Sequence, residues 1–283
     1  MNKFYIQIVF FLLSVSVYMN NETLAAEAAP GKDKKSKSKV RYSTPEEIYK
    51  QNKGLLCTNP NEITNAVKLM NEAARHLEHH ATCNDDYKPR KWDSNLNHFL
   101  YKKKHGDTVV QKMKLTYYHG HMYNEITNIL WDPALANKFN NGSVKRKIAR
   151  VYNPNLVIIQ QRYKSWFGGP QKYFYALAAK FDISEKKTII VMTSPNINDH
   201  HPSKKEYKNT IIESANLFKI DIDSENDIRK GKLKKTFVNI AGYLIEKKGP
   251  YVNITYLESI DGHTSNYEDL INVRHLNKFF SLK

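Results

Sequence analysis

Between residues 59 and 82 the chain keeps a single apolar stripe. Ile63, Val67, Met70, Ala74, Leu77 and Ala81 recur every three or four positions, which predicts a long amphipathic helix. Asn59-Pro60-Asn61-Glu62 supplies its start: a capping asparagine, a proline at the first helical position and a carboxylate in the first turn. The period then changes to two. Residues 96–103 and 108–117 flank His105-Gly106-Asp107 as a hairpin, with Val109, Met113, Leu115 and Tyr117 on one face of the second strand and Lys112 and Lys114 on the other. Helical spacing returns at Met122, Ile126, Ile129 and Leu130, and Asp132-Pro133 predicts a second short helix carrying Leu135 and Phe139. Alternation resumes in three hairpins: 144–152 with 156–163, 173–183 with 188–193, and 237–246 with 251–260. Residues 196–209 read as a polar surface loop, residues 210–235 have no clear period, and Leu270, Val273, Leu276 and Phe280 close the chain on a helix. This order predicts an α+β fold: an antiparallel sheet long enough to curl, gripping a C-terminal helix around a cavity.

The first residues alter the domain boundaries. Lys3, an apolar run over 6–17 and the small-x-small site Ala26-Glu27-Ala28 predict a cleaved export signal over residues 1–28. The run is too short to cross a hydrocarbon layer of about 30 Å without carrying polar flanks inside. Residues 29–54, with Lys32, Lys34, Lys35, Lys37 and Lys39, predict a disordered, self-repelling linker, leaving 55–283 as the folded domain. The formal net charge of +16 favours anionic partners, lipid headgroups or nucleic acid, and is silent on fold. Cys57 and Cys83 bracket the long helix, so roughly 30 Å separates them. A disulfide needs α-carbons within about 7 Å, which predicts two free, mostly buried thiols.

No catalytic constellation stands out: there is no nucleophile elbow, phosphate-binding glycine loop, Cys-x-x-Cys pair or His-Glu-x-x-His. His76 and His80 lie one helical turn apart but lack a third ligand, so solvated helix histidines are the default. The aromatic and basic residues of the hairpins carry more. Arg146, Ile148, Arg150 and Tyr152 share one face of a strand, Gln160 and Arg162 a face of its partner, and Tyr173 and Tyr175 a face of the next. Such side chains lining a cavity suit a phosphate or quaternary ammonium group; a solvated outer face is the plain alternative. Trp166 and Phe167, beside Gly168, Gly169 and Pro170, predict a loop whose rings dip into a membrane surface; rings packed inward on the terminal helix are the plain alternative.

Three segments resemble the START lipid-transfer family: Asn128-Ile-Leu-Trp131-Asp132-Pro133, Gly168-Gly-Pro170-Gln171-Lys-Tyr173-Phe-Tyr175, and the strand from Tyr251 to Asp261-Gly262. The whole chain, with its signal, lysine-rich linker and following domain, is similar to the fam-a proteins of malaria parasites. That resemblance implies a helix-grip fold without enzymatic activity or cofactor, and a monomer that carries a phospholipid, phosphatidylcholine foremost. It implies secretion toward the host cell, transient contact with membranes and no nucleic-acid partner. It also places Asp132 at the headgroup end of the tunnel and Tyr173 in its wall. The lipid-site expectation is therefore Asp132, Arg150, Tyr152, Arg162, Tyr173 and Tyr175, with Trp166 and Phe167 at the lid. The competing reading is a basic secreted module that binds anionic headgroups or a host protein and carries no ligand.

Overall fold

The computed structural model describes residues 43–93, 98–133, 144–164, 169–203 and 206–261, all within one unit, Ser43–Lys283. Order begins earlier than the expected linker boundary at 54. Thr44 and Glu47 cap helix α1 (Pro45–Gln51) reciprocally: the hydroxyl accepts from the Glu47 N–H, and the carboxylate accepts from the Thr44 N–H. Ile48, 5 % exposed, gives this piece an apolar anchor that the lysine run lacks. Helix α2 (Pro60–Thr82) starts as predicted, with the Asn59 side chain accepting from the N–H groups of Asn61 and Glu62.

The strands follow the two-residue pattern closely. They are β1 (Lys88–Asp93), β2 (His98–His105), β3 (Thr108–Tyr117), β4 (Val144–Asn153), β5 (Leu156–Tyr163), β6 (Lys172–Ser184) and β7 (Lys187–Thr193). After short strands β8 (Asn196–Asn198), β9 (Lys219–Asp221) and β10 (Lys234–Lys235) come β11 (Phe237–Lys248) and β12 (Tyr251–Asp261). The main sheet runs β1-β2-β3-β12-β11-β7-β6-β5-β4, with β10 paired to the start of β6. Helix α3 (Tyr123–Trp131) interrupts the strands after β3, and α4 (Asn226–Arg229) lies in the segment before β10. The predicted second short helix beyond Pro133 and the predicted terminal helix lie outside the described residues, as do the export signal and most of the linker.

Helix α2 crosses the strands on one face of the sheet. Its first turn reaches β4 through Glu62 and Arg150, and its last reaches β3, where the Lys112 ammonium donates to the carbonyls of His80 and Cys83. From Glu62 to His80 the helix rises about 27 Å, which carries it across the strands between β4 and β3. Between them Glu78 pairs with Lys187 of β7, and Leu77 sits over Gly242 of β11. Cys57 and Cys83, at its two ends, are free and half-buried rather than buried.

The α2 end holds two findings the sequence pattern missed. Lys112 is only 1 % exposed, its ammonium 3.8 Å from the Tyr87 ring centroid, and burial pushes its pKa down to about 8. His80 is buried too, with Nδ1 3.0 Å from the Tyr87 hydroxyl, where a solvated histidine was expected. Among the described residues no cluster of three metal-ligating side chains forms around it. Burial, then His79, His105 and Lys103, lowers its pKa from 6.5 to about 4. The unfolded state therefore binds the proton more readily: this contribution is complete above pH 6.5 and is lost as pH falls toward 4. Thermal melts across that window are expected to lose roughly 3 kcal/mol of stability, a loss that His80→Gln flattens.

Candidate functional site

Strand alternation sorts the sheet into two faces. Opposite α2, one face carries Val157 and Ile159 of β5, Ala176 and Ala178 of β6, and Ile190 and Met192 of β7. Ala241 and Ile245 of β11, Ile254 of β12, and Met113 and Leu115 of β3 complete its apolar floor. Helix α3 covers one end of this floor. The Tyr123 hydroxyl lies 2.8 Å from Thr188 Oγ1, which donates to Asp182, which in turn pairs with Lys180. Trp131 and Asp132, at the other end of α3, are buried. The Trp131 indole N–H has no hydrogen-bond partner among the described residues.

This face is concave. Arg146 on β4 and Tyr256 on β12 are five strand spacings apart, roughly 24 Å on a flat sheet. The Arg146 charge acts on both Tyr243 and Tyr256, in keeping with a sheet curled toward this face. The Arg146 guanidinium donates to the Gln161 side-chain carbonyl at 2.6 and 2.9 Å, and the Tyr256 hydroxyl donates to Glu258. Burial lowers the Arg146 pKa, partly opposed by the two tyrosines, and burial together with Glu258 raises that of Tyr256. Arg146, Tyr243 and Tyr256 are half-buried. This face thus has an apolar floor and, apart from the Thr188–Asp182–Lys180 network, a polar cluster of Arg146, Gln161, Tyr243, Tyr256 and Glu258.

No protein-family model matches the sequence, and no curated protein does. Solved structures do, through 37 chains. Human STARD10 superimposes with a TM-score of 0.52 at 13 % identity, over 74 % of this chain and 78 % of its own. Human StAR-related lipid transfer protein 5 gives 0.54 at 10 % identity, over 76 % and 93 %. The fold is the START fold. Identity this low shows the fold alone, and the resemblance read from the three sequence segments agrees with it.

On this START fold the predicted site residues divide. Asp132 stays with α3. Arg150, Tyr152, Arg162, Tyr173 and Tyr175 do come together, but on the opposite face, beneath α2 and the segment 194–236. For Arg150 and Tyr152 the cause is a bulge in β4 between Ile148 and Arg150. An extra residue reverses the alternation, so Arg146 and Ile148 face the concave side while Arg150 and Tyr152 face α2. Arg150 pairs with Glu62 at 2.6 Å, and the Tyr152 hydroxyl donates to the same carboxylate at 2.6 Å. Arg162 makes two bonds to Asp227, and the Tyr173 hydroxyl donates to buried Asp199. Gln160 links the Tyr175 hydroxyl to Glu225, which also pairs with Lys147. Burial opposes the Glu225 charge, but hydrogen bonds from Lys147 and Gln160 hold its pKa at about 2. Arg150 and Arg162 are thus paired with carboxylates on this face. The segment read as a polar surface loop covers this belt, with Asp199 and Asn209 1 % and 0 % exposed. Trp166 and Phe167 lie outside the described residues. The concave-face residues that sequence reasoning passed over are Gln161, Tyr243, Tyr256 and Glu258. Their signal was alternation within β5, β11 and β12, and their meeting with Arg146 needed the curl.

Proposed function

We propose that this chain binds a lipid on the concave face and carries it between membranes without catalysing a reaction. The observation that supports it is the half-buried cluster of Arg146, Tyr243 and Tyr256 beside the apolar floor of a START-fold sheet. Acyl chains on that floor each gain about 0.8 kcal/mol per methylene removed from water. A phosphate accepts from the Arg146 guanidinium, and a quaternary ammonium seats over the Tyr243 and Tyr256 rings. That combination fits phosphatidylcholine. The START-fold neighbour human StAR-related lipid transfer protein 5 supports carriage as a class of function. The signal over 1–28 and the likeness to fam-a proteins support a secreted monomer, and Trp166 and Phe167 its contact with membranes.

Charge-assisted bonds to a phosphate contribute about 1.5–3 kcal/mol. Arg146→Gln is accordingly expected to weaken phosphatidylcholine binding roughly ten- to a hundredfold, with a smaller loss for a lipid without a phosphate. Fluorescent-lipid displacement measures both. Equal affinity of the variant and the parent for phosphatidylcholine removes Arg146 from the site.

A further inference from the structure

The segment 194–236 ends in a basic turn, Arg229-Lys230-Gly231-Lys232-Leu233-Lys234-Lys235. Five of its seven carboxylates have other partners: Asp221 pairs with His200, Asp223 with Arg229, Glu225 with Lys147 and Arg162, and Asp227 with Arg162, while Asp199 holds Lys235. Glu206 and Glu213 lie more than ten residues before the turn and form no ion pair with it among the described residues. Lys230, Lys232 and Lys234 are left exposed, and none of them forms an ion pair among the described residues. The backbone beneath them is fixed. The N–H groups of Lys230, Gly231 and Lys232 donate to the carbonyls of Asn226, Ile228 and Asp227. Ile228 and Leu233 are buried, and His201 Nε2 lies 2.9 Å from the Leu233 carbonyl. Gly231 has φ +65°, and a β-carbon there would stand 2.9 Å from the Pro202 ring. The Lys234 N–H donates to the Gln171 carbonyl, so the turn lies beside the chain entering β6.

We propose that this turn docks the protein onto an anionic membrane surface. The docking is a property of the outer face and requires no particular ligand on the concave one. Three lysines held at one turn present point charges to lipid phosphates, which carry no fixed geometry to match. A nucleic acid would instead favour free arginines and exposed aromatic rings for stacking. Here Arg150, Arg162 and Arg229 are tied to carboxylates, and Tyr173 and Tyr175 are buried.

The test measures binding of the full chain to vesicles of phosphatidylcholine, with and without phosphatidylserine. One variant carries Lys230→Gln, Lys232→Gln and Lys234→Gln. A control of equal charge carries Lys50→Gln, Lys53→Gln and Lys68→Gln, all exposed around α1 and α2. The turn variant is expected to lose on the order of a hundredfold in affinity for the anionic vesicles, about fivefold per lysine. It keeps the parent's melting temperature and its transfer of lipid between neutral vesicles; the control retains anionic binding. Equal losses in both variants would make net charge the cause and overturn the proposal. Undiminished binding by the turn variant, or binding of a short RNA with none to anionic vesicles, overturns it as well. Lipid transfer between neutral vesicles reports separately on carriage.

Discussion

Gly242→Ala is expected to lower the melting temperature by roughly 10 °C or more. Gly242 lies in the middle of β11, between β12 and β7, directly under helix α2. A β-carbon there would stand 2.0 Å from the Ile190 carbonyl oxygen, 2.7 Å from Leu77 Cδ1 and 2.9 Å from Val191 Cα. Two of those three atoms are backbone of the neighbouring strand, which cannot yield without breaking its ladder. The backbone at Gly242 also has φ +149°, which a side chain tolerates poorly. Strain of about 1–3 kcal/mol and overpacking of about 1–3 kcal/mol add, and a domain of this size loses about 2–4 °C per kcal/mol. Gly54→Ala is the control, because nothing lies within 4 Å of its β-carbon. A Gly242→Ala protein that melts within about 2–4 °C of the parent, the shift of a single kcal/mol, would contradict the close crossing of α2 over β11.

Ala178→Trp is expected to abolish lipid carriage while leaving the fold largely intact. Ala178 pairs with Met192, which pairs with Ala241, so one row of the concave floor is small at two positions out of three. If that row borders an internal space, an indole occupies the space and displaces ligand. Loss of about five methylene contacts, near 0.8 kcal/mol each, weakens binding on the order of a thousandfold. A solidly packed floor gives a different result: the indole has no room, and overpacking destabilises the protein by about 1–3 kcal/mol or more. Melting temperature and lipid affinity, measured on the same variant, tell the two apart.

Hydrophobic periodicity carried most of this fold. Strands β3 and β5 and the Asn59 cap of α2 have the bounds their sequences predict, because each is set by local alternation or a local hydrogen bond. Helix α1 was equally local, since Thr44-Pro45-Glu46-Glu47 is a complete capping box, but the lysine run before it masked the signal. The site was harder to see, for two physical reasons. A single extra residue in β4 sends Arg150 and Tyr152 to the face opposite Arg146, and a bulge leaves no mark in a two-residue period. Meanwhile the cluster of Arg146, Tyr243 and Tyr256 joins strands nearly a hundred residues apart in sequence, brought together only by the curl of the sheet. Residues 210–235 had no period because they cover a polar belt rather than an apolar one: Glu225 and Asp227 are bound by Lys147, Gln160 and Arg162.

The lipid content of the purified protein tests the central claim most directly. The full chain is isolated without added lipid, its mass is measured under native conditions, and an organic extract of the same sample is analysed by mass spectrometry. The account predicts one bound phospholipid per chain in the parent protein, phosphatidylcholine foremost, and none in a folded Ala178→Trp variant. A well-folded parent that shows only its bare polypeptide mass, yields no lipid on extraction and takes up none from vesicles would contradict it.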